Sequence, residues 1–252
     1  MKNVTVFSGQ TAVVFGAGAG IGRAVAVALA VDGATVICSD INARAARETA
    51  ELICGSVDAA AVTADVADQG AVEAAVTEAA ERSGQVHVVV NCVGITGTTG
   101  MPSHEYDLAE FDRVYRVNLR GALVVSQVAV RHMLGHGYGR VVHFASIAGK
   151  EGNPNMIGYS ATKAGLIGMV KAQGKEYAGT GITVNAIAPA VIHTDLVDAL
   201  PDEVVDYMVA KIPMGRTGTL EEAAALATFI ASPACGFTTG FTFDLSGGRA
   251  TY

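Results

Sequence analysis

The sequence predicts an α/β fold, a single doubly wound domain over residues 1–252 with a seven-stranded parallel sheet flanked by helices on both faces. Three observations carry that expectation. Short apolar runs alternate with amphipathic stretches along nearly the whole chain. The runs are almost continuously apolar, as in VHVVVN at 86–91, the pattern of strands covered on both sides. A glycine-rich turn, Phe15-Gly-Ala-Gly-Ala-Gly-Ile-Gly22, also stands where the first strand gives way to the first helix.

Taken in order, residues 11–15 read as the first strand and 20–31, rich in Ala and Val, as the first helix. Strand two is 34–39 (ATVICS), followed by a helix at 43–53. Residues 58–64 make a short third strand and 69–82 a helix. The fourth strand, 86–91, precedes a longer helical region at 110–133. Strand five, 140–145, leads through a loop containing Gly149, Gly152, Asn153 and Pro154 into a helix at 158–177. Strand six is 182–188 (ITVNAIA), a helix follows at 220–230, and strand seven at 241–245 closes the sheet. No repeat or linker divides the chain, and residues 190–215 are expected to form a loop and helix segment over the substrate.

Composition removes several classes of function. Half of the 252 residues are hydrophobic and 16% are charged, with a mean hydropathy of +0.38. Such a surface is expected to be partly covered, within a two-sided sheet and between subunits. A net charge of −7 without a basic cluster argues against nucleic acid or an anionic membrane as partner. The opening residues, MKNVTVFSGQT, lack the apolar core of a signal peptide, and no apolar run approaches the ~20 residues of a membrane span. Cys38, Cys54, Cys92 and Cys235 are dispersed, without metal-ligand spacing. They read as small buried apolar residues in a reducing cytoplasm, and no metal is expected.

The glycine turn carries chemistry of its own. Gly16, Gly20 and Gly22 let the backbone approach a pyrophosphate, and the helix N-terminus behind them offers unpaired N–H groups and a favourable dipole. Asp40 closes the second strand eighteen residues after Gly22. That is near the ~20-residue offset at which an acid holds the adenosine ribose hydroxyls of NAD. The same carboxylate repels the 2′-phosphate of NADP, and Ala17, Gly18 and Ala19 supply no cation to offset it. Asp40 also stands where it could cap the following helix.

The stretch SIAGKEGNPNMIGYSATK, residues 146–163, organises the rest. Tyr159 and Lys163 are four apart and share one helical face. A free tyrosine titrates near ~10, and a cation beside it is expected to bring the phenol toward working range. With Ser146 at the end of strand five, the three groups can move a proton on or off an alcohol.

These motifs together resemble the short-chain dehydrogenase/reductase family, in its single-domain form of Rossmann type, essentially from end to end. Asn118, Ser146, Tyr159 and Lys163 match the catalytic tetrad, with thirteen residues from Ser146 to Tyr159. The resemblance implies NAD as cofactor, held by Gly16, Gly18, Gly20, Ile21 and Gly22, by Asp40 and Ile41, and by Asp65 and Val66 at the adenine. Asn91, Cys92 and Gly94 stand where the family usually has Asn-Asn-Ala-Gly, and Pro189, Ala190, Ile192 and Thr194 match the nicotinamide loop. Tyr159 and Lys163 complete that set. Three departures are visible: Phe15 replaces a loop-locking Thr, Cys92-Val93 replaces Asn-Ala, and Ala190 replaces the glycine after the proline.

The implied reaction interconverts a secondary alcohol and a ketone by hydride transfer. Tyr159 serves as general acid/base, Ser146 bonds the reacting oxygen, Lys163 tunes Tyr159 and binds ribose, and Asn118 holds a water for proton exit. Candidate substrate residues are Ile95, Ile147, Lys150, Asn153, Met156, Val191, Ile192, His193, segment 196–214 and Arg249. The ending SGGRATY is similar to members acting on sugar acids and other small polar alcohols. The alternative is a 3-oxoacyl thioester reductase, which shares the tetrad but prefers NADPH, against Asp40. A homotetramer is expected, built on helices 110–133 and 158–177, with Ala161, Ala164, Gly165 and Gly168 allowing close approach. The tail was open to two readings: solvated, or crossing a twofold contact so that Arg249 faces a neighbouring site.

Overall fold

The computed structural model describes residues 5–55, 57–250 and 252; residues 1–4 of the opening stretch MKNVTVFSGQT lie outside them, as does 251 of the tail. The chain runs β1 (Thr11–Phe15), α1 (Gly20–Val31), β2 (Thr35–Asp40), α2 (Ala43–Ile53), β3 (Ala59–Thr63), α3 (Gln69–Ser83) and β4 (Val88–Asn91). It continues through α4 (Leu108–Tyr115), α5 (Gly121–Leu134), β5 (Gly139–Phe144), α6 (Ala148–Glu151), α7 (Ile157–Tyr177) and β6 (Ile182–Pro189). Helices α8 (Asp195–Asp198), α9 (Asp202–Val209) and α10 (Leu220–Ala231) lead to β7 (Thr242–Leu245). The seven strands pair in the order β3-β2-β1-β4-β5-β6-β7, all parallel.

The order reverses between β1 and β4, so the connections leave to opposite sides there and open a crevice at the carboxyl ends of both strands. Each face of the sheet has its own core. On one side Val76, Val125, Met133, Leu166 and Val170, from α3, α5 and α7, cover the strands. On the other, Val25, Leu29, Ile53, Ala227 and Ile230 do so from α1, α2 and α10. Each such side chain contributes roughly 1.5–3 kcal/mol on burial, and together they fix the strand ends from which the site projects.

Helix starts follow their caps. Asn42 accepts from the Arg44 and Ala45 amides at α2, so it, not Asp40, caps that helix. Asp68 and Asp107 cap α3 and α4, and Thr219 with Glu222 forms a reciprocal capping box at α10.

Three expectations change. The long helix starts at Leu108 and is interrupted by a π-turn, Arg116–Arg120, where one extra residue per turn swings Asn118 inward. Residues 148–151 are a helical turn rather than loop, seated against the backbone of Lys163 so closely that a Cβ at Gly149 would lie 2.6 Å from its carbonyl carbon. The segment over the carboxyl edge contains two helices, α8 and α9, that periodicity did not reveal. Cysteines 38 and 235 are buried as expected, Cys92 is half-buried, and Cys54 is exposed at the end of α2; all four are free.

Candidate active site

The first strand-to-helix turn is built for close approach. Gly16 has φ +79°, and a Cβ there would meet the backbone of Cys92 and Val93 at 3.3 Å. A Cβ on Gly22 would lie 1.9 Å from the Gly16 carbonyl oxygen, so α1 can pack on the turn only with glycine there. Ala19, at the N-cap of α1, has no side-chain acceptor, and the first turn carries no acid. The first-turn amides of α1 carry no side-chain cap and can take an anionic ligand, whereas α2, α3, α4 and α10 are capped by their own side chains.

Side chains behind the turn lock it. The Gly18 amide donates to Asp40 Oδ2 at 2.9 Å, and the Asn42 amide to Asp40 Oδ1 at 2.9 Å. Thr49 Oγ1 donates to the Ala17 carbonyl at 2.8 Å, and Arg23 bridges Thr49 and the Gly18 carbonyl. The hydroxyl that Phe15 lacks is thus supplied from α2, and Phe15 itself is buried in the core. Asp40 lies half-buried at the mouth of the turn. Ile41 beside it is 70% exposed. Asp65 accepts from the Ala67 amide, and Val66 is buried against Gly121. Gly20 and Ile21 open α1 half-exposed, with Thr194 the nearest neighbour to a Cβ on Gly20, at 3.7 Å.

The four polar residues from the sequence converge at the ends of β4 and β5. Lys163 is buried, and its Nζ donates to the Phe144 carbonyl at 2.6 Å. That Nζ lies 5.8 Å from the centre of the Tyr159 ring. Gly94 passes so near that an added Cβ would be 3.1 Å from Lys163 Nζ and 3.6 Å from Asn118 Oδ1. Asn118 holds both backbone groups of Ile95, with Oδ1 accepting from its amide and Nδ2 donating to its carbonyl, each at 2.8 Å. Asn118 Nδ2 also donates to Thr162 Oγ1 at 3.2 Å. Ser146 Oγ accepts from the Ala148 amide at 3.1 Å, so α6 aims it.

The electrostatics differ from the sequence argument. Burial pushes the Tyr159 phenol above its ordinary value, and the hydrogen bond with Ser146 pulls it back. Lys163 does not bring it down in the chain alone, because its ammonium is anchored on Phe144 and faces the ring. Burial instead lowers Lys163 itself to about 8, a pKa suited to trading a proton near neutrality.

Among the substrate candidates, Ile147 is buried, while Ile95 and Met156 are half-buried. The cations are committed: Lys150 Nζ lies 2.8 Å from Asp244 and Arg249 2.7 Å from Glu151; His193 Nε2 is 3.1 Å from Asp198. Arg249 thus engages its own chain. Asn153 lies half-buried in the loop before α7. Ala190, whose amide donates to Leu245, and Pro189 end β6. Ile192 turns under α10, where a Cβ at Gly218 would meet its Cδ1 at 2.7 Å, so its side chain serves the core rather than the crevice.

Two contributors carried no sequence signal of their own. His143, wholly buried, faces Asn91 across the β4–β5 register. Its Nδ1 accepts from Asn91 Nδ2 at 3.3 Å, so its proton sits on Nε2, 2.7 Å from Ser126 Oγ. Burial holds it neutral, down to about 3. Asn91 Oδ1 in turn accepts from the Val93 amide, shaping the segment that brings Gly94 to Lys163. Tyr106 is the other: its buried hydroxyl has no partner among the described residues and stands 2.9 Å from where a Cβ on Gly158 would be.

The chain matches the family described as "Enoyl-(Acyl carrier protein) reductase" over residues 16–250. It is 45% identical to a 2-dehydro-3-deoxy-L-rhamnonate dehydrogenase (NAD(+)) of Sphingomonas sp. (strain SKA58), over 98% of this chain and 97% of that one. A 3-oxoacyl-(acyl-carrier-protein) reductase of Thermotoga maritima is 35% identical over 95% of this chain and 97% of its own. In structure it is similar to NAD+-bound xylitol dehydrogenase, with a TM-score of 0.91, 29% identity and coverage of 96% and 99%.

Lys163 makes the site unstable on its own. Each pH unit between folded and unfolded pKa is worth ~1.4 kcal/mol. A fall from 10.5 to about 8 therefore makes burial of the charged form cost on the order of 3 kcal/mol below pH 8. The folded pKa is depressed, so the penalty fades as pH rises from 8 and is gone above 10.5. Lys163→Met should be more stable than the unmutated chain by about 1–3 kcal/mol at pH 7 without ligand, and nearly equal at pH 10. Urea unfolding at both pH values checks this; a constant difference would remove Lys163 as its source.

Proposed function

The chain belongs to the short-chain dehydrogenase/reductase family, and we propose from that premise that it oxidises a hydroxyl of a sugar-acid-like compound. It is an NAD-dependent oxidoreductase interconverting a secondary alcohol and a ketone. The observation that supports the substrate class best is the 45% full-length identity to an NAD-dependent deoxysugar-acid dehydrogenase. The residues present fit the cofactor. The uncapped amides of α1 suit its pyrophosphate and Asp40 its adenosine ribose, while Pro189, Ala190 and Thr194 would hold its nicotinamide end. When bound, NAD supplies the hydride acceptor.

The chain's own groups do the rest. Ser146, aimed by the Ala148 amide, donates to the substrate oxygen and stabilises charge on it. Tyr159 takes the hydroxyl proton in oxidation and returns one in reduction. Lys163, near neutrality in proton affinity and linked to Phe144, stabilises the phenolate once a negative ring oxygen forms. Asn118 holds the Ile95 backbone and opens a polar route behind Lys163. The whole chain, 1–252, acts as one unit, with 190–215 closing over the substrate. The 3-oxoacyl thioester reductases are similar at lower identity, but Asp40 at the ribose position disfavours the phosphorylated cofactor.

A homotetramer is part of this reading. Ala161, Ala164 and Gly168 are exposed along α7, which packs on α4, where Tyr115 is also exposed, a small-residue face suited to close approach. Light scattering on protein recovered from the cytoplasmic fraction should give a mass about four times the 25.7 kDa chain. A monomer would end the assembly reading, and absence of the protein from that fraction the compartment reading.

For catalysis, Tyr159→Phe should lower NAD-dependent oxidation of 2-keto-3-deoxy sugar acids by about 10³-fold or more while NADH still binds by fluorescence titration. Turnover within tenfold of the unmutated enzyme would transfer the proton-carrying role elsewhere.

For the cofactor, the unmutated enzyme should favour NAD over NADP by at least ~10²-fold in kcat/KM, and Asp40→Ala should narrow that ratio. Equal use of both cofactors before mutation would contradict the role of Asp40.

A further inference from the structure

The segment after β7 folds back across two walls of the crevice. At 246–250 it packs on the residues before α10: the Met214 amide donates to the Gly247 carbonyl, and a Cβ on Gly248 would touch Pro213. Toward α6, the Tyr252 hydroxyl donates to the Lys150 carbonyl at 2.8 Å, and Lys150 Nζ sits 5.0 Å from the centre of the Tyr252 ring. Lys150 is tied to Asp244 of β7. Between these contacts lies Arg249, whose side chain is only 10% exposed.

Arg249 makes three directed hydrogen bonds. Its Nε and Nη2 donate to Glu151 Oε2 at 2.9 and 2.7 Å. Its Nη2 also donates to Asn153 Oδ1 at 3.3 Å. A guanidinium only donates, so the Asn153 amide must turn its oxygen to Arg249 and its Nδ2 the other way. That Nδ2 lies 3.9 Å from Met156 Sδ, a weak acceptor. The Asn153 amide nitrogen is meanwhile fixed on Ser160 Oγ, beside Tyr159. Apart from that weak contact, Asn153 Nδ2 has no acceptor among the described residues, so a donor is presented from the loop that joins Ser146 to Tyr159.

We propose that Arg249 is a positioning residue for substrate recognition: it locks the Asn153 side chain so that Nδ2 meets an acceptor oxygen of the substrate. The inference rests on the sugar-acid reading, whose substrates carry keto, hydroxyl and carboxylate oxygens beside the reacting alcohol. It also explains the committed cations. Lys150 and Arg249 are neutralised by Asp244 and Glu151, so this wall offers a neutral directional donor in place of a loose ammonium. A neutral donor discriminates by geometry, since a substrate lacking the oxygen leaves it unpaired.

The test separates locking from mere tethering. Asn153→Asp keeps and strengthens the contact to Arg249 but has no donor to offer. Arg249→Met keeps the donor but frees the amide to rotate. Each should raise KM for the oxygenated substrate ~10-fold with a much smaller change in kcat, and the double variant should be no worse than the worse single. An unaffected KM in Asn153→Asp, or a double variant with the product of the two effects, would overturn the proposal. Glu151→Gln, which weakens the tether but leaves Arg249 on Asn153, should raise KM less than Arg249→Met does; the reverse order would make the tail a tether only. Amide hydrogen exchange gives a readout independent of turnover. Residues 150–156 should exchange faster in Arg249→Met than in the unmutated chain, while strand amides stay the same. No acceleration there would remove the clamp. If the enzyme oxidises polyols but no sugar acid, the same cycle run on the polyol still decides the role of Arg249, and only the substrate reading falls.

Discussion

A cationic side chain buried at the end of a parallel sheet constrains the rest of this site. Lys163 has one hydrogen-bond acceptor in the structure, the Phe144 carbonyl, and no acidic partner among the described residues. An ammonium in such surroundings is costly, so its neighbours are shaped to keep it in place. Gly94 must lack a Cβ to pass at that distance. Gly149 must lack one so that α6 can seat on the backbone of Lys163 and aim Ser146. His143, one residue before Phe144, stays neutral because burial disfavours its charged form, with the Lys163 ammonium adding to the effect. The fold supplies the stability that this cluster forfeits, through two cores that hold β4, β5 and α7 in register.

Much of this was legible in the sequence, for reasons that can be named. Helices α1 and α2 have their expected limits because a glycine turn and Asn42 mark their starts. The strands were visible because both faces are covered, which leaves uninterrupted apolar runs. Spacing showed the Tyr159–Lys163 pair and the family resemblance supplied Ser146 and Asn118 as its partners; the structure brings all four side chains to one end of the sheet. What escaped depends on contacts distant in sequence. The π-turn at Arg116–Arg120 follows from Asn118 reaching the Ile95 backbone across twenty-three residues. Helices α8 and α9, inside the segment expected as loop and helix, are four and eight residues long, too short for periodicity to mark their limits. His143 read as one more strand residue, because nothing local distinguishes a histidine in a polar chain from one in a core.

The charges near the substrate show the same limit from another side. Lys150 and Arg249 were plausible carboxylate ligands on residue type alone. Their partners, Asp244 and Glu151, lie ninety-four and ninety-eight positions away in sequence. A cation already neutralised at hydrogen-bond distance has little to offer a second anion unless the first leaves. Pairing turns both residues from ligands into struts, and the chemistry of the wall passes to the neutral amide between them.

The glycine turn completes the argument, because one carboxylate there has two duties. Asp40 Oδ2 accepts from the Gly18 amide and Oδ1 from the Asn42 amide, so both oxygens already support backbone. A carboxylate retains further lone pairs after two such bonds, enough to accept from a diol. A carboxylate is also an anion, so a phosphate at that place is repelled whether or not the turn holds its shape. With Phe15 in the core, the turn relies on Asp40, Thr49 and Arg23 for side-chain anchors. Cofactor choice and loop order are therefore coupled through one residue. Removing the charge would relax the repulsion and also loosen the turn that binds either dinucleotide, so a change of preference toward the phosphorylated form requires a new anchor for Gly18 along with a cation.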